Sequence, residues 1–330
     1  MKSLSNRRKL ALLCGAAFLT CLAAPFIGME PITPAGLRSN PLTRDIFLSL
    51  RLPRTLTAFL AGSALALAGM TFQALFRNPL ATPYTLGIAS GASCGAAAAV
   101  LFGGAALGGG IGGAAVGAFI GALCAMAVVY ALFSAVGARG PVTMLLAGVA
   151  VSYTFSSLLL FVQYLSDIRH SFQIVRWLMG GVAVHGYDHL WLIGASVAGG
   201  GAIIGLHVHH LDHLLTGEEL AQSRGVNTAW LKGVLFIGVS LMVAGVVAIC
   251  GPIGFVGMMS PHVCRMLFGP RHATLGPATM LFGGAFLVIC DTAARTILAP
   301  VEAPAGVITA LMGGPFFIWL LYRNHRAGRR

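Results

Sequence analysis

Residues 51–80 read RLPRTLTAFLAGSALALAGMTFQALFRNPL, and no charged side chain stands between Arg54 and Arg77. A run of about 20 mostly apolar residues is what an α-helix needs to cross the hydrocarbon core of a bilayer. The run is not an isolated anchor. Of 330 residues, 57% are hydrophobic and 9% charged, and the mean hydropathy is +0.85. Soluble domains carry roughly 25% charged residues, so a water-soluble globule is excluded. The same ruler marks ten spans, at about 10–28, 55–75, 84–103, 112–134, 142–165, 189–206, 231–250, 255–268, 273–294 and 305–322. The eighth is short for a crossing and the third opens on turn-like residues. The expected fold class is an all-α polytopic membrane protein with about ten transmembrane helices, a single domain over 1–330.

The N-terminal run is longer than the apolar region of a secretory signal, about 7–15 residues, and is read as the first span. The net charge of +12 is distributed as orientation, not as a nucleic-acid surface. With the N-terminus inside, most of the 21 Lys and Arg fall on the cytoplasmic side, among them Arg7, Arg8, Lys9, Arg77, Arg139, Arg224, Lys232, Arg265, Arg271 and the C-terminal arginines. That is the positive-inside bias, and it puts both termini in the cytoplasm. Seven cysteines lie in apolar stretches without CxxC pairing and read as small buried hydrophobes.

No GxxxxGK[ST] loop is present: the three lysines are Lys2, Lys9 and Lys232, and none follows a glycine. The chain therefore lacks that device for ATP hydrolysis. It is read as a non-enzyme that binds no cofactor or metal of its own. Energy for any pumping must come from a partner or an ion gradient. Glycines sit inside spans, with Gly113, Gly117 and Gly121 repeating every four residues, as expected where helices pack by close backbone approach.

Six polar or broken stretches carry the functional reading. Arg51 and Arg54 of RLPR, at the outer mouth of the second span beyond the 29–54 connection, run against the inward charge bias. They read either as snorkelling cations or as a docking surface. In CDTAARTILAP, Asp291 is the one acid well inside a span and stands a helical turn before Arg295, so an ion pair and a proton relay both remain open. FRNPLATPYTLGIASGA reads as a turn entering a helix packed through Gly91 and Gly95. In CGPIGFVGMMSPHVCRML, Gly251, Pro252, Gly254 and Phe255 break a helix at membrane depth, which is tolerated against protein or a cavity. These four residues are pathway or gate candidates. HVHHLDH misses the HxHxDH metal register by one residue and reads as an interfacial polar cap.

The sixth is the insert HLDHLLTGEELAQSRGVN, His210–Asn227. Thr216 followed by Glu219 fits a capping box, and Gly225 fits a helix stop. The expectation is a cytoplasmic helix of about two turns, with Glu218 and Glu219 at its start and Arg224 near its end, in keeping with the helix dipole.

Together RLPRTLTAFLAGSALALAGMTFQALFRNPLATPYTLGIASGA, TGEELAQSRGV, GPIGFVGMMSPHVCRML and DTAARTILAPVEAPAGVITALMGGPFFIWLL resemble the permease subunits of type II ABC importers for iron chelates, heme and cobalamin. The resemblance spans about residues 51–322. It implies the ten-span permease fold in a bacterial inner membrane and a homodimer. It also implies two cytoplasmic ATPases carrying ATP and Mg, and a periplasmic substrate-binding protein. In that family the insert, here 213–227, is the coupling segment gripped by the ATPase. Thr216, Gly217, Glu218, Glu219, Ala221, Arg224 and Gly225 are carried over to that role, with Thr216 and Arg224 standing where leucine is common. Arg51, Arg54 and Arg295 are carried over as partners of carboxylates on the binding protein. The cargo this implies is an iron(III)-siderophore or related metal chelate, with heme or cobalamin as alternatives in the same architecture. A proton-coupled secondary transporter using Asp291 is the rival reading.

Overall fold

All ten apolar runs form helices in the computed structural model, which describes residues 5–103, 111–136, 141–215 and 217–327. The expectations placed on Arg139, Thr216 and the last two arginines lie outside the described residues. The first run is α1 (Asn6–Ala23), closed by a 3₁₀ turn at Ala24–Phe26. The 29–54 connection contains α2 (Pro34–Ser39) and α3 (Pro41–Asp45), then a π-helical turn that leads directly into α4 (Leu52–Leu75). Both short helices have Pro at their start and an oxygen-bearing cap. Thr33 accepts from the Gly36 N–H and Asn40 from the Leu42 N–H, which satisfies donors that a helix start leaves open.

After a turn at 76–87 come α5 (Ile88–Phe102), α6 (Ile111–Val136) and α7 (Pro141–Tyr164). The third span thus starts at Ile88 and not at 84. Pro79 and Pro83 hold the intervening chain out of helix, and Gly87, with φ +88°, supplies the left-handed entry residue. Next are α8 (Ile168–Leu178), α9 (Asp188–Leu206), α10 (Val208–Leu215), α11 (Glu218–Ser223), α12 (Thr228–Cys250), α13 (Val256–Phe268), α14 (His272–Thr296) and α15 (Ala305–Ala327). No strand occurs among the described residues. Among the described residues, seven helical segments are long and apolar enough to cross a membrane, while Ile88–Phe102 and Ala305–Leu320 are shorter apolar helices. At 13 residues α13 is about 20 Å long, too short to cross alone.

The buried axis of the bundle is α4, most of whose side chains are hidden. α14 runs antiparallel to it: Arg54 meets Asp291, Gly62 meets Gly283, and Met70 meets Gly276. α13 packs against both α4 and α14, with no room for a Cβ at Gly69 against Gly257 O or at Gly257 against Leu65 O, and with Ser260 beside Gly283. A second seam joins α5 to α6, with Gly91 against Gly121 and Gly95 against Gly117. The four-residue glycine spacing read in the sequence is thus a backbone-to-backbone contact, the packing that replaces a hydrophobic driving force in lipid. On the outside, Tyr153, Phe161, Tyr164, Ile168, Phe172, Leu311 and Ile318 all point away from the bundle, as they do when the surroundings are apolar.

At about 1.5 Å per residue, the 24 residues of α4 set about 36 Å between the end bearing Arg54 and the end at Leu75. Just beyond Leu75, Arg77 comes near Gly217. The RLPR arginines and the insert helix therefore occupy opposite ends of the molecule.

Candidate functional site

At the first end, α4 presents Arg54 and α14 presents Asp291 to each other. Arg54 Nε lies 3.0 Å from Asp291 Oδ2, and Nη2 lies 3.0 Å from Oδ1, a forked pairing of the strong bidentate kind. Arg54 Nη1 reaches Glu302 Oε2 at 2.8 Å. Asp291 is also paired with Arg295, Nε to Oδ2 at 3.3 Å, the i,i+4 contact expected from the sequence. Arg295 donates further to the carbonyls of Ile27 and Ala24, while Arg51 donates to those of Pro25 and Glu30. Arg51 and Arg295 therefore rivet the start of the connection after α1 to the head of α4 and to α14, and Arg54 ties α4 to α14.

Arg295 is buried and Arg54 nearly so, with side-chain exposures of 6% and 14%. A guanidinium at this depth needs carboxylate and carbonyl partners, and the fold supplies them internally. What remains open is a cavity of about 420 Å³ whose walls include Arg51, Arg54, Arg176, Arg295, His185 and Glu302. Four arginines face it against Glu302 in the wall and Asp291 behind, so the cavity carries excess positive charge. Arg176 comes from α8, which Asp167 caps by accepting the His170 N–H. That hydrogen bond holds the Asp167 carboxyl below its usual range.

At the opposite end the insert forms α11, six residues and just under two turns. Its start differs from the expected capping box. Gly217 occupies the N-cap position at φ +122° and ψ +151°, a conformation open to glycine, and there is no side-chain cap. Glu219 is exposed, and Glu218 turns inward to Lys232 of α12. The stop is as expected: Gly225 at φ +82° donates to Gln222 O, and Val226 donates to Ala221 O, the paired closure of a Schellman ending. Ala221 is fully buried, whereas Glu219, Leu220, Ser223 and Arg224 are exposed. Leu220, at 54% exposure, had no place in the sequence reading.

Between the two ends lies the break. Gly251 has φ +64° and Phe255, a non-glycine, φ +67°. Strain of this kind costs on the order of 1–3 kcal/mol and persists only where packing imposes it. Here Cys250 O accepts from Gly181 N and the Tyr84 hydroxyl accepts from Ile253 N. Gly180 and Gly306 abut Pro252, and Gly313 abuts the Phe255 ring. The ends of α8 and α12 and the first half of α15 therefore meet at Gly251, Pro252 and Phe255, while Gly254 has open space beside it.

The histidine run has a structural use. Asp212 of α10 accepts from both the backbone and ring nitrogens of His272, at 3.0 and 2.6 Å, and so anchors the start of α14. His207 bonds to Ile203 O and lies against the ring of Trp230.

The sequence profile of the FecCD transport family matches residues 13–323. The chain belongs to the FecCD transport family. It is the permease subunit of a type II ABC importer, and a multi-pass membrane protein. One FecCD relative is the uncharacterised ABC transporter permease YvrB of Bacillus subtilis, 39% identical over 88% of this chain and 82% of that protein. The molybdate import system permease MolB of Haemophilus influenzae is 33% identical over 93% and 90%. The vitamin B12 import system permease BtuC of Salmonella newport is 38% identical over 84% and 83%. A solved chain described as a metal-chelate type ABC transporter in an inward-facing conformation superposes with a TM-score of 0.85 at 31% identity. It covers 96% of this chain and 99% of that one. Membership of an ABC permease family displaces the proton-coupled alternative. The geometry agrees, because Asp291 is held between two guanidiniums and is not set along a relay.

Proposed function

We propose that this FecCD permease works as a homodimer in the bacterial inner membrane. On this reading it carries an iron(III) chelate from a periplasmic binding protein to the cytoplasm, driven by ATP and Mg on two cytoplasmic ATPase subunits. The arginine-lined cavity faces the periplasm and receives acidic side chains of the binding protein. α11 faces the cytoplasm and is the coupling helix, with Glu219, Leu220 and Arg224 on its ATPase side. Both termini are cytoplasmic. The observation that carries this reading is the placement of a rigidly stopped, partly exposed short helix and a cationic cavity at opposite ends of one bundle.

A corrinoid cargo is the second reading, favoured by the 38% identity to a vitamin B12 permease. The deciding experiment is the absorption spectrum of the ligand retained by the partner binding protein. A ferric-chelate charge-transfer band supports the first reading. A corrin spectrum supports the second, and a colourless oxyanion contradicts both.

A further inference from the structure

Of the three lysines in the chain, Lys232 lies in the fifth position of α12 and is 7% exposed. Lysine is almost never buried to that degree unless paired. Its ammonium lies 2.5 Å from Oε1 of Glu218, the first residue of α11, and the two side chains are 8% and 25% exposed. Positioning of the transmembrane bundle does not require this pair, because α12 packs through apolar residues from Leu235 to Val247. What the pair holds is α11.

A helix of six residues does not persist by itself, since nucleation is unfavourable and few hydrogen bonds follow it. One further link joins α11 to α12, Gln222 Nε2 donating to Thr228 Oγ1 at 2.9 Å, and the turn between them is closed by Val226 N–H onto Ala221 O and by Asn227, which caps α12 by accepting from Trp230 N–H. Glu218, Ala221 and Gln222 follow the i, i+3, i+4 spacing of one helical face, and all three engage α12 or the turn into it. The opposite face, with Glu219, Leu220 and Ser223, is exposed. At its far end α12 runs into the strained break at Gly251–Phe255.

We propose that Lys232 is a positioning residue. Through Glu218 it makes α11 and α12 one rigid body, so that displacement of the exposed face of α11 reaches the Gly251–Phe255 break instead of being lost as swivelling at Gly217. The proposal rests on reading α11 as the coupling helix. A charged pair suits the task because a half-buried pair is directional and little screened, and it fixes the axial rotation of a helix too short to be fixed by packing.

The test uses the full complex of permease, ATPase and binding protein in proteoliposomes, and reads substrate taken up per ATP hydrolysed. Lys232→Met should leave assembly and basal ATP hydrolysis within about twofold while uptake per ATP falls at least fivefold. Lys232→Arg should retain the ratio, and the swap Glu218→Lys with Lys232→Glu should restore it to within about twofold. An unchanged ratio in Lys232→Met overturns the proposal. So does a swap or an Lys232→Arg variant that fails to assemble, since Lys232 would then serve folding alone. Leu220→Asp separates this from the underlying reading: if it leaves ATPase association intact, α11 is not the coupling helix at all.

Discussion

Arg54 and Asp291 lie 237 positions apart in the chain and share a forked ion pair, closed on one side by Arg295 and on the other by Glu302. Asp291 is 1% exposed, so its charge is compensated almost entirely by these guanidiniums. Replacing it by Asn keeps the shape and strands two buried cations. Asp291→Asn should destabilise the bundle by about 3 kcal/mol, the scale for breaking one side of a buried pair. Thermal unfolding of the detergent-solubilised protein measures this. Arg54→Leu with Asp291→Leu should recover only the part due to Arg54, because Arg295 still lacks its carboxylate.

Glu302 is the detachable member, 53% exposed in its side chain against 14% for Arg54. An exposed pair contributes roughly 0–1 kcal/mol, so Glu302→Gln should leave the unfolding midpoint nearly unchanged. It removes the carboxylate in the cavity wall and raises the positive excess there. Association with the binding protein should therefore become faster, most strongly at low salt, as read by surface plasmon resonance. Arg51→Glu should change the rate in the opposite sense.

Gly117 of α6 packs on the backbone of Gly95 of α5 with no space for a side chain. Gly117→Leu must part the two helices. Overpacking of this kind costs about 1–3 kcal/mol, and it should appear as a lower unfolding midpoint. Gly112, with open space around it, should accept Leu without that penalty.

Gly217 holds φ +122° at the start of α11. Gly217→Ala imposes local strain of about 1–3 kcal/mol on a helix with no side-chain cap. The membrane bundle should remain intact while α11 frays, so ATPase association should weaken with no change in thermal midpoint. Pull-down of the ATPase beside a thermal scan checks both halves.

The helices were legible because lipid imposes a simple rule: an uncharged run such as Thr55–Phe76 has to hydrogen-bond its own backbone. The Gly91, Gly95, Gly117 and Gly121 seam and the stop at Gly225 were legible for a similar reason, since each is a short-range demand on backbone shape. The pairing of Arg54 with Asp291 was hidden because it joins residues brought together only by the antiparallel docking of α4 and α14. The inward turn of Glu218 was hidden because a capping box and an ion pair to α12 use the same acid-rich start. α8 was missed although its signals were present. Asp167 caps it, and Ile168, Phe172, Val175 and Met179 recur at helical spacing. A ruler set for twenty-residue runs passes over an amphipathic helix of 11 residues.

The central claim is that the exposed face of α11 receives the ATPase stroke and is required for transport by an otherwise intact bundle. The most direct measurement is ATP-driven substrate uptake by proteoliposomes carrying the complete complex, with Glu219→Arg and Leu220→Asp in the permease. The account predicts an unchanged thermal midpoint for the permease and at least a tenfold loss of uptake. Uptake equal to that of the unaltered protein would contradict it.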